Sequence, residues 1–273
     1  MLSKEQLSHI KKLQAVCEEA DGIQLKLNWD MLVCRENGVK QDFFHYEPDG
    51  LAAFIGLYGF GNKVEMCGMV KPEYRRNGLF SAMYKEALEE ARSQGYHTIL
   101  LNAPSNSKSA KGFLNEIQVP FVFTEHQMKW MGGPLPVTED VILRSSEKED
   151  FALEVQLEAD CFGFSLEEAE AFTKSRKQEQ GQQFWIIENN GKAVGKVRVA
   201  AEKGEAWIYG FAVSPEHQKK GIGRKTLFRI LEEETSKGNS VFLEVEAKNT
   251  RALKLYESCG FRAYYAQDYY LTK

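Results

Sequence analysis

The sequence predicts an α/β protein built of two like domains in tandem, each a mixed, mostly antiparallel central sheet flanked by helices. Three observations carry that expectation. The first is an internal repeat. Met69-VKPEYRRNGLF and Ala212-VSPEHQKKGIG both read Val, one residue, Pro-Glu, one residue, a polar side chain, two residues, Gly. Pro72 and Pro215 lie 143 positions apart, as do Gly78 and Gly221, Gly95 and Gly238, and Asn106 and Asn249. So long a period exceeds a solenoid unit and indicates two whole domains. The second is the mixed order of strand and helix patterns in each repeat, which fits helices packed around one central sheet. The third is Gly132-GPLPVTED, whose Gly and Pro place a boundary there. The expected domains are 1–135 and 136–273.

The second repeat reads in order as follows. Val141-ILRSS is a strand, and amphipathic helical stretches follow near Lys148–Asp160 and Ser165–Gln180. Phe184-WIIE, an Asn-Asn-Gly turn and Val194-GKVRVA form a hairpin. Ala206-WIYGFAV is nearly all apolar, as a buried central strand is. Gly223-RKTLFRILEEETSK is an amphipathic helix stopped by Gly238. Val241-FLEVEA is a strand, Arg251-ALKLYESC a short helix ended by Gly260, and Phe261-RAYYAQDYYLTK two final strands with a turn. The first repeat has the same order, from a helix near Lys4–Ala20 to Phe121-VFTEHQMKWM.

Composition narrows the function classes. The chain has 273 residues, 43% hydrophobic and 27% charged, with net charge −4. It has no global basic field to recommend nucleic acid or an anionic membrane as partner. The charged, amphipathic N-terminus is unlike a signal peptide, and no segment has the apolar length of a membrane span, so a cytoplasmic location is expected. The five cysteines, Cys17, Cys34, Cys67, Cys161 and Cys259, are scattered, odd in number and in no metal-ligand spacing. They read as free thiols, and no metal is expected.

Ser214-PEHQKKGIGRKT looks like a phosphate loop. A triphosphate loop needs G-x-x-x-x-G-K-[ST], but Arg224 stands where the second Gly must be, before Lys225-Thr226. A dinucleotide fingerprint fails for want of a third Gly near Phe228. What remains is a strand, then Gln218-x-x-Gly221-x-Gly223, then a helix. Glycines let backbone N–H groups turn inward as an anion nest, and the helix adds its positive end. Lys219, Lys220, Arg224 and Lys225 add charge at the rim. The arrangement suits a diphosphate; a tight strand–helix turn with solvated cations fits the loop equally.

Two linked motifs go further: V-x-P-x-x-Q-x-x-G-x-G on the strand–helix turn and L-E-V-x-x-x-N-x-x-A-x-x-L-Y-E-x-x-G-F downstream, within Trp207 to Phe261. Here the sequence resembles the GNAT superfamily of acyl-CoA-dependent N-acyltransferases, tandem type. Leu243-Glu244-Val245 and Tyr256 are similar to the branch that acetylates protein N-termini, including ribosomal-protein alanine. The resemblance implies direct transfer from acetyl-CoA to a primary amine in a ternary complex. It implies Tyr256 as the acid for the leaving thiolate and Glu244 as the base, with Glu246 or a water as alternatives. A cofactor set follows from the same motifs: Phe211, Ala212 and Val213 on the strand, Gln218, Lys219, Lys220, Gly221, Ile222, Gly223, Arg224 and Lys225 at the turn, and Asn249 near the pantetheine arm. His217 reads as a rim or packing residue. Cys161-FGF and Tyr264-YAQDYY would flank the acceptor, with Asp268 among aromatics for an organic cation.

At a constant offset of 143 the first repeat looks worn. Phe113 stands for Tyr256, Leu101 for Glu244, Phe80 for Gly223 and Gly112 for Leu255. Mycothiol synthase-like enzymes show such a division between tandem domains. The expected partner is a small-molecule or peptide amine, with no nucleic acid and no membrane. Two joined domains imitate a dimer, which favours a monomer. The alternative is a non-catalytic CoA-binding or partner-binding regulatory protein. A third class, a phosphate-binding ATPase, predicts stabilisation by ATP. The missing glycine predicts that millimolar ATP leaves the thermal unfolding midpoint unmoved, while acetyl-CoA raises it.

Overall fold

The computed structural model describes residues 1–35, 38–178 and 181–272. The chain divides into two compact units, Met1–Glu125 with Tyr265–Lys273, and His126–Tyr264. That differs from the 1–135 and 136–273 division at both junctions. The Gly/Pro segment after residue 131 links two strands within the second unit instead of marking the boundary.

The first unit opens with α1 (Lys4–Asp21), started by a capping box between Ser3 and Gln6 and stopped at Gly22, whose φ is 63°. A short α2 (Trp29–Val33), β1 (Asp42–Glu47), β2 (Gly50–Phe60) and β3 (Lys63–Val70) follow. Then come α3 (Leu79–Ser93), β4 (Thr98–Pro104), α4 (Lys108–Glu116) and β5 (Phe121–Trp130). Side chains of β2 alternate between two cores. Phe54 and Tyr58 pack with Ile10, Leu13 and Cys17 of α1, while Ile55 and Leu57 pack with Met83 and Ala87 of α3. Strands β3 and β4 are parallel from Lys63↔Thr98 to Met66↔Leu101.

The second unit runs through β6 (Val141–Ser145), α5 (Phe151–Phe162), α6 (Leu166–Arg176), β7 (Gln182–Asn189), β8 (Lys192–Glu202) and β9 (Glu205–Val213). It continues with α7 (Ile222–Ser236), β10 (Ser240–Glu246), α8 (Thr250–Ser258) and β11 (Phe261–Thr272). The first expected helical stretch begins as a 3-10 turn at Lys148–Asp150. The far end of the second, at Gln180, lies outside the described residues. The β7–β8 turn has Asn190 and Gly191 at φ 52° and 73°, the left-handed pair of a type I′ hairpin. Leu227, Ile230 and Leu231 of α7 pack on Ala206, Ile208, Val241 and Leu243. On the opposite face, buried Glu158 of α5 pairs with buried Lys196 of β8, and Glu154 with Lys177 at 2.6 Å.

The last segment is one strand, not two with a turn. Its residues 265–272 belong to the first unit and 261–264 to the second. Strand β5 is split likewise, 121–125 and 126–130. In the first unit β11 lies beside β4, and in the second β5 lies beside β10. Each repeat therefore lends a strand to the other's unit: the first unit is assembled from two separate segments, and the second is one continuous segment that begins inside β5 and ends inside β11.

Strand β9 carries a bulge that β3 lacks. Against β8 it pairs Tyr209 with Arg198 and Ala212 with Lys196, leaving Gly210 and Phe211 opposite Val197. Gly210 has φ +54°. Strand β3 runs against β2 without a shift. The bulge brings the Ala212 carbonyl so close to Gly195 of β8 that a Cβ there would lie 2.4 Å from it. Gly195→Ala is expected to destabilise the protein by about 1–3 kcal/mol through forced backbone movement, read as a lower denaturant midpoint. An unchanged midpoint would show that the bulge yields freely.

Candidate active site

The parallel ladder of β9 and β10 runs from Glu205↔Ser240 to Ile208↔Leu243 and stops there. Tyr209 and Glu244 are the first residues past the last rung. Beyond them the bulge turns β9, and the strands part. Backbone groups at such a gap have no ladder partner, which makes them available to amides laid between the strands. Phe211, Ala212 and Val213 form the β9 side of the gap.

After Val213 the chain makes a turn with Lys219 at φ 62° and Gly221 at φ 80°. Gly221 caps α7 with no side-chain hydrogen bond. The first N–H groups of the helix, at Ile222, Gly223 and Arg224, thus lack an intrahelical partner. Gln218 fastens this turn: its Nε2 donates to the Val213 carbonyl at 2.8 Å, and its Oε1 accepts from Arg251 at 2.8 Å. The first unit repeats the brace, with Arg75 Nε donating to the Val70 carbonyl at 2.9 Å. Cysteines complete the parallel, since Cys17 donates to the Val70 carbonyl and Cys161 to that of Val213. Burial pushes both thiols up, Cys17 to about 11, so neither is thiolate at neutral pH.

The cations differ in freedom. Lys225 is paired with Asp140 at 2.5 Å, which holds that carboxyl below its usual range. Arg224 donates to Ser258 at 2.9 Å. Lys219 and Lys220 are exposed at the rim. Gly223 is closely approached: a Cβ there would meet Leu255 at 3.3 Å and Phe211 at 3.6 Å. Asn249 caps α8, its Oδ1 accepting from Ala252 N at 3.1 Å. His217 sits beside Ser214 and Glu216 at the rim.

Tyr256 and Glu244 approach the gap from opposite faces. Tyr256, on α8, packs against the α7-side core and lies edge-on to Phe261 at 6.1 Å. Burial pushes its hydroxyl up to about 12. Glu244 alternates with Leu243 and Val245 of that core, so it faces the α5 side. Its Oε1 accepts from Gln127 Nε2 of β5 at 3.0 Å. Glu246 lies on the same face, tied to Lys248 at 2.8 Å. Beside Glu244 on this face Arg198 stands 4.8 Å over Tyr209, Trp207 stacks on Phe242 at 5.0 Å, and Lys129 lies 5.2 Å over Phe242. Tyr264 meets Phe242 edge-on at 5.9 Å. Asp268 does not join them; it belongs to the first unit and accepts from Thr124 at 2.7 Å.

The ladders also correct the correspondence between repeats. Lys63↔Thr98 to Met66↔Leu101 matches Glu205↔Ser240 to Ile208↔Leu243, an offset of 142. The bulge adds one residue, giving 143 through α7. One extra residue before β4 restores 142 for α4 and α8, whose caps are Ser107 and Asn249. Glu244 therefore corresponds to Asn102, Tyr256 to Leu114 and Leu255 to Phe113; Phe80 still answers Gly223. The first unit holds a cleft of about 350 Å³ between Val70, Arg75, Phe80, Asn102 and Phe113. It contains neither a tyrosine hydroxyl at 114 nor a carboxylate at 102.

Comparisons with known proteins agree with this duplication. The model of the acetyltransferase (GNAT) family matches residues 10–116 and again 152–261. A ribosomal-protein bS18-alanine N-acetyltransferase of Escherichia coli is 34% identical over 111 residues, 38% of this chain and 75% of that one. A mycothiol acetyltransferase of Thermobispora bispora is 27% identical across 91% of this chain and 90% of its own. A crystal structure of a GCN5-related N-acetyltransferase from Sphaerobacter thermophilus shares the fold, with TM-score 0.76, 20% identity, and coverage of 97% and 91%. No described helix is long and apolar enough to cross a membrane.

Tyr256 supplies a check at high pH. Its hydroxyl ionises near 10 when unfolded and near 12 when folded. Between those values the unfolded state sheds the proton first, so stability falls as pH rises. Tyr256→Phe is expected to flatten the loss of stability between about pH 10 and 12, measured by denaturant unfolding at each pH.

Proposed function

The chain belongs to the acetyltransferase (GNAT) family, twice over in one polypeptide, and on that premise we propose that its second unit moves an acetyl group from acetyl-CoA to a primary amine. The observation that carries this is the pair Glu244 and Tyr256, set on opposite faces of one gap in a sheet, with Asn102 and Leu114 at the corresponding places of the first unit.

The uncapped start of α7 and the left-handed turn at Lys219 and Gly221 fit a diphosphate, with Lys219 and Lys220 at the rim. The edge of β9 from Phe211 to Val213 that faces away from β8, past the last β10 rung, fits the amides of a pantetheine arm. Acetyl-CoA supplies an activated acyl carbon as a thioester. Glu244 takes the proton from the incoming ammonium, leaving a nucleophilic amine. A C–N bond forms as the C–S bond breaks, and an N–H at the bulge bears on the carbonyl oxygen as it gains charge. Tyr256, protonated throughout the neutral range, delivers a proton to the departing thiolate, and the second proton shed by the attacking nitrogen as the amide forms restores the tyrosine hydroxyl. The first unit keeps a cleft but neither proton-transfer group, and we assign it no chemistry. The acceptor class, a peptide N-terminus or a small amine, comes from the named activities of the relatives.

Calorimetric titration with acetyl-CoA, paired with thiol release over a panel of amines, tests the proposal. Tyr256→Phe is expected to lower kcat by about 10²-fold or more, with the KM for acetyl-CoA held within about twofold. Full turnover in that variant would remove Tyr256 as the acid. Gly221→Glu is expected to abolish one acetyl-CoA site; binding that survives it would move the diphosphate elsewhere.

A further inference from the structure

We propose that Gln127 of β5 is the acceptor-positioning residue of the second unit, holding Glu244 with one end of its amide and receiving an N–H of the incoming ammonium with the other. The proposal rests on the acetyl-transfer reading of this gap. It adds a residue that neither linked motif contains, carried by a strand from the other repeat.

Gln127 is 6% exposed, and its Nε2 donates to Glu244 Oε1 at 3.0 Å. A carboxylate offers no donor, so only the NH2 end of the amide can face it, and the carbonyl end is thereby fixed. That carbonyl, Oε1, is fully buried and has no hydrogen-bond partner among the described residues. A buried acceptor left unmet is costly, and the large majority of such atoms are paired. Here the unmet acceptor belongs to the same side chain that grips the candidate base. Gln127 lies on the α5-side face, opposite Met128 of the core, as Glu244 does. An ammonium arriving at Glu244 has three N–H donors, and a carboxylate can use only part of them. The amide carbonyl supplies the next acceptor without adding a second negative charge.

The other unit offers a comparison. Phe121 to Gln127 and Phe261 to Gln267 have the same spacing. Gln267 is 1% exposed, donates to the Gln24 carbonyl at 2.9 Å, and also has an unmet Oε1. There the counterpart of Glu244 is Asn102, so the amide has no carboxylate to hold.

Steady-state kinetics of the full chain test the assignment, with acetyl-CoA and two acceptors, spermidine and an alanine-initiated hexapeptide. Gln127→Met keeps the shape and loses both polar ends. It is expected to raise the amine KM at least tenfold and lower kcat several-fold, with the KM for acetyl-CoA unchanged. Gln127→Glu keeps acceptor oxygens and loses the donor. It is expected to lower kcat while leaving the amine KM near wild type. A purely structural role would move kcat and thermal midpoint together in both variants, without that split, and would overturn the proposal. So would wild-type amine KM in Gln127→Met, or, should that variant not fold, a raised amine KM in Gln127→Glu. Transfer to neither probe by the wild type, with Tyr256→Phe no different, would bring down the acetyl-transfer reading itself and this inference with it.

Discussion

The site depends on a place where two parallel strands stop bonding. Neighbouring strands stay together only while ladder hydrogen bonds hold them, and each lost rung leaves an N–H and a C=O in need of a partner. In the second unit the last rung is Ile208↔Leu243, and the bulge at Gly210–Phe211 follows it; in the first unit the ladder stops at the equivalent rung, Met66↔Leu101, without a bulge. Several residues shape the β9 backbone just past that break. Gly210 adopts the left-handed angle, Gly195 makes room for the displaced Ala212 carbonyl, and Gln218 closes the turn beyond by taking up the Val213 carbonyl. Glu244 and Tyr256 then need only lie at the edges of a gap that the backbone has already opened.

The two units solve the same packing problem with the volumes exchanged. In the second, Phe211 stands on the strand, Gly223 on the helix, and Leu255 fills in. In the first, Gly68 stands on the strand, and Phe80 on the helix lies over it, 2.7 Å from where a Cβ would be. Phe113 meets Phe80 edge-on at 4.7 Å. A buried ring contributes roughly 1.5–3 kcal/mol, so each arrangement keeps its aromatic and moves it. The first unit is therefore a well-packed body that kept its core and changed the residues at its gap.

Much of this was legible in the sequence because it is local. The Asn-Asn-Gly turn, the Gly238 stop and the nearly all-apolar Ala206 strand each report their own backbone. The pair of linked motifs pointed to the candidate site for the same reason: their residues sit within one continuous stretch. What escaped is what depends on pairing between distant segments. The matching Asn106 and Asn249 made an offset of 143 look continuous, whereas the caps are Ser107 and Asn249. Only ladder registers expose the inserted bulge residue. Gln127 escaped because β5 was assigned to the first domain, and its hydrogen bond to Glu244 spans 117 positions. The shared spacing from Phe121 to Gln127 and from Phe261 to Gln267 was the one signal available.

The borrowed strands also bear on how the protein comes into being. On a ribosome adding roughly 5–20 residues per second, residues 1–125 emerge well before residues 265–272, which complete their sheet. For roughly ten to thirty seconds, β4 has β3 on one side and an open edge on the other. An unpaired strand edge is a template for wrong partners. Early synthesis therefore yields a waiting body, and its closure is tied to the arrival of the last strand of the second repeat.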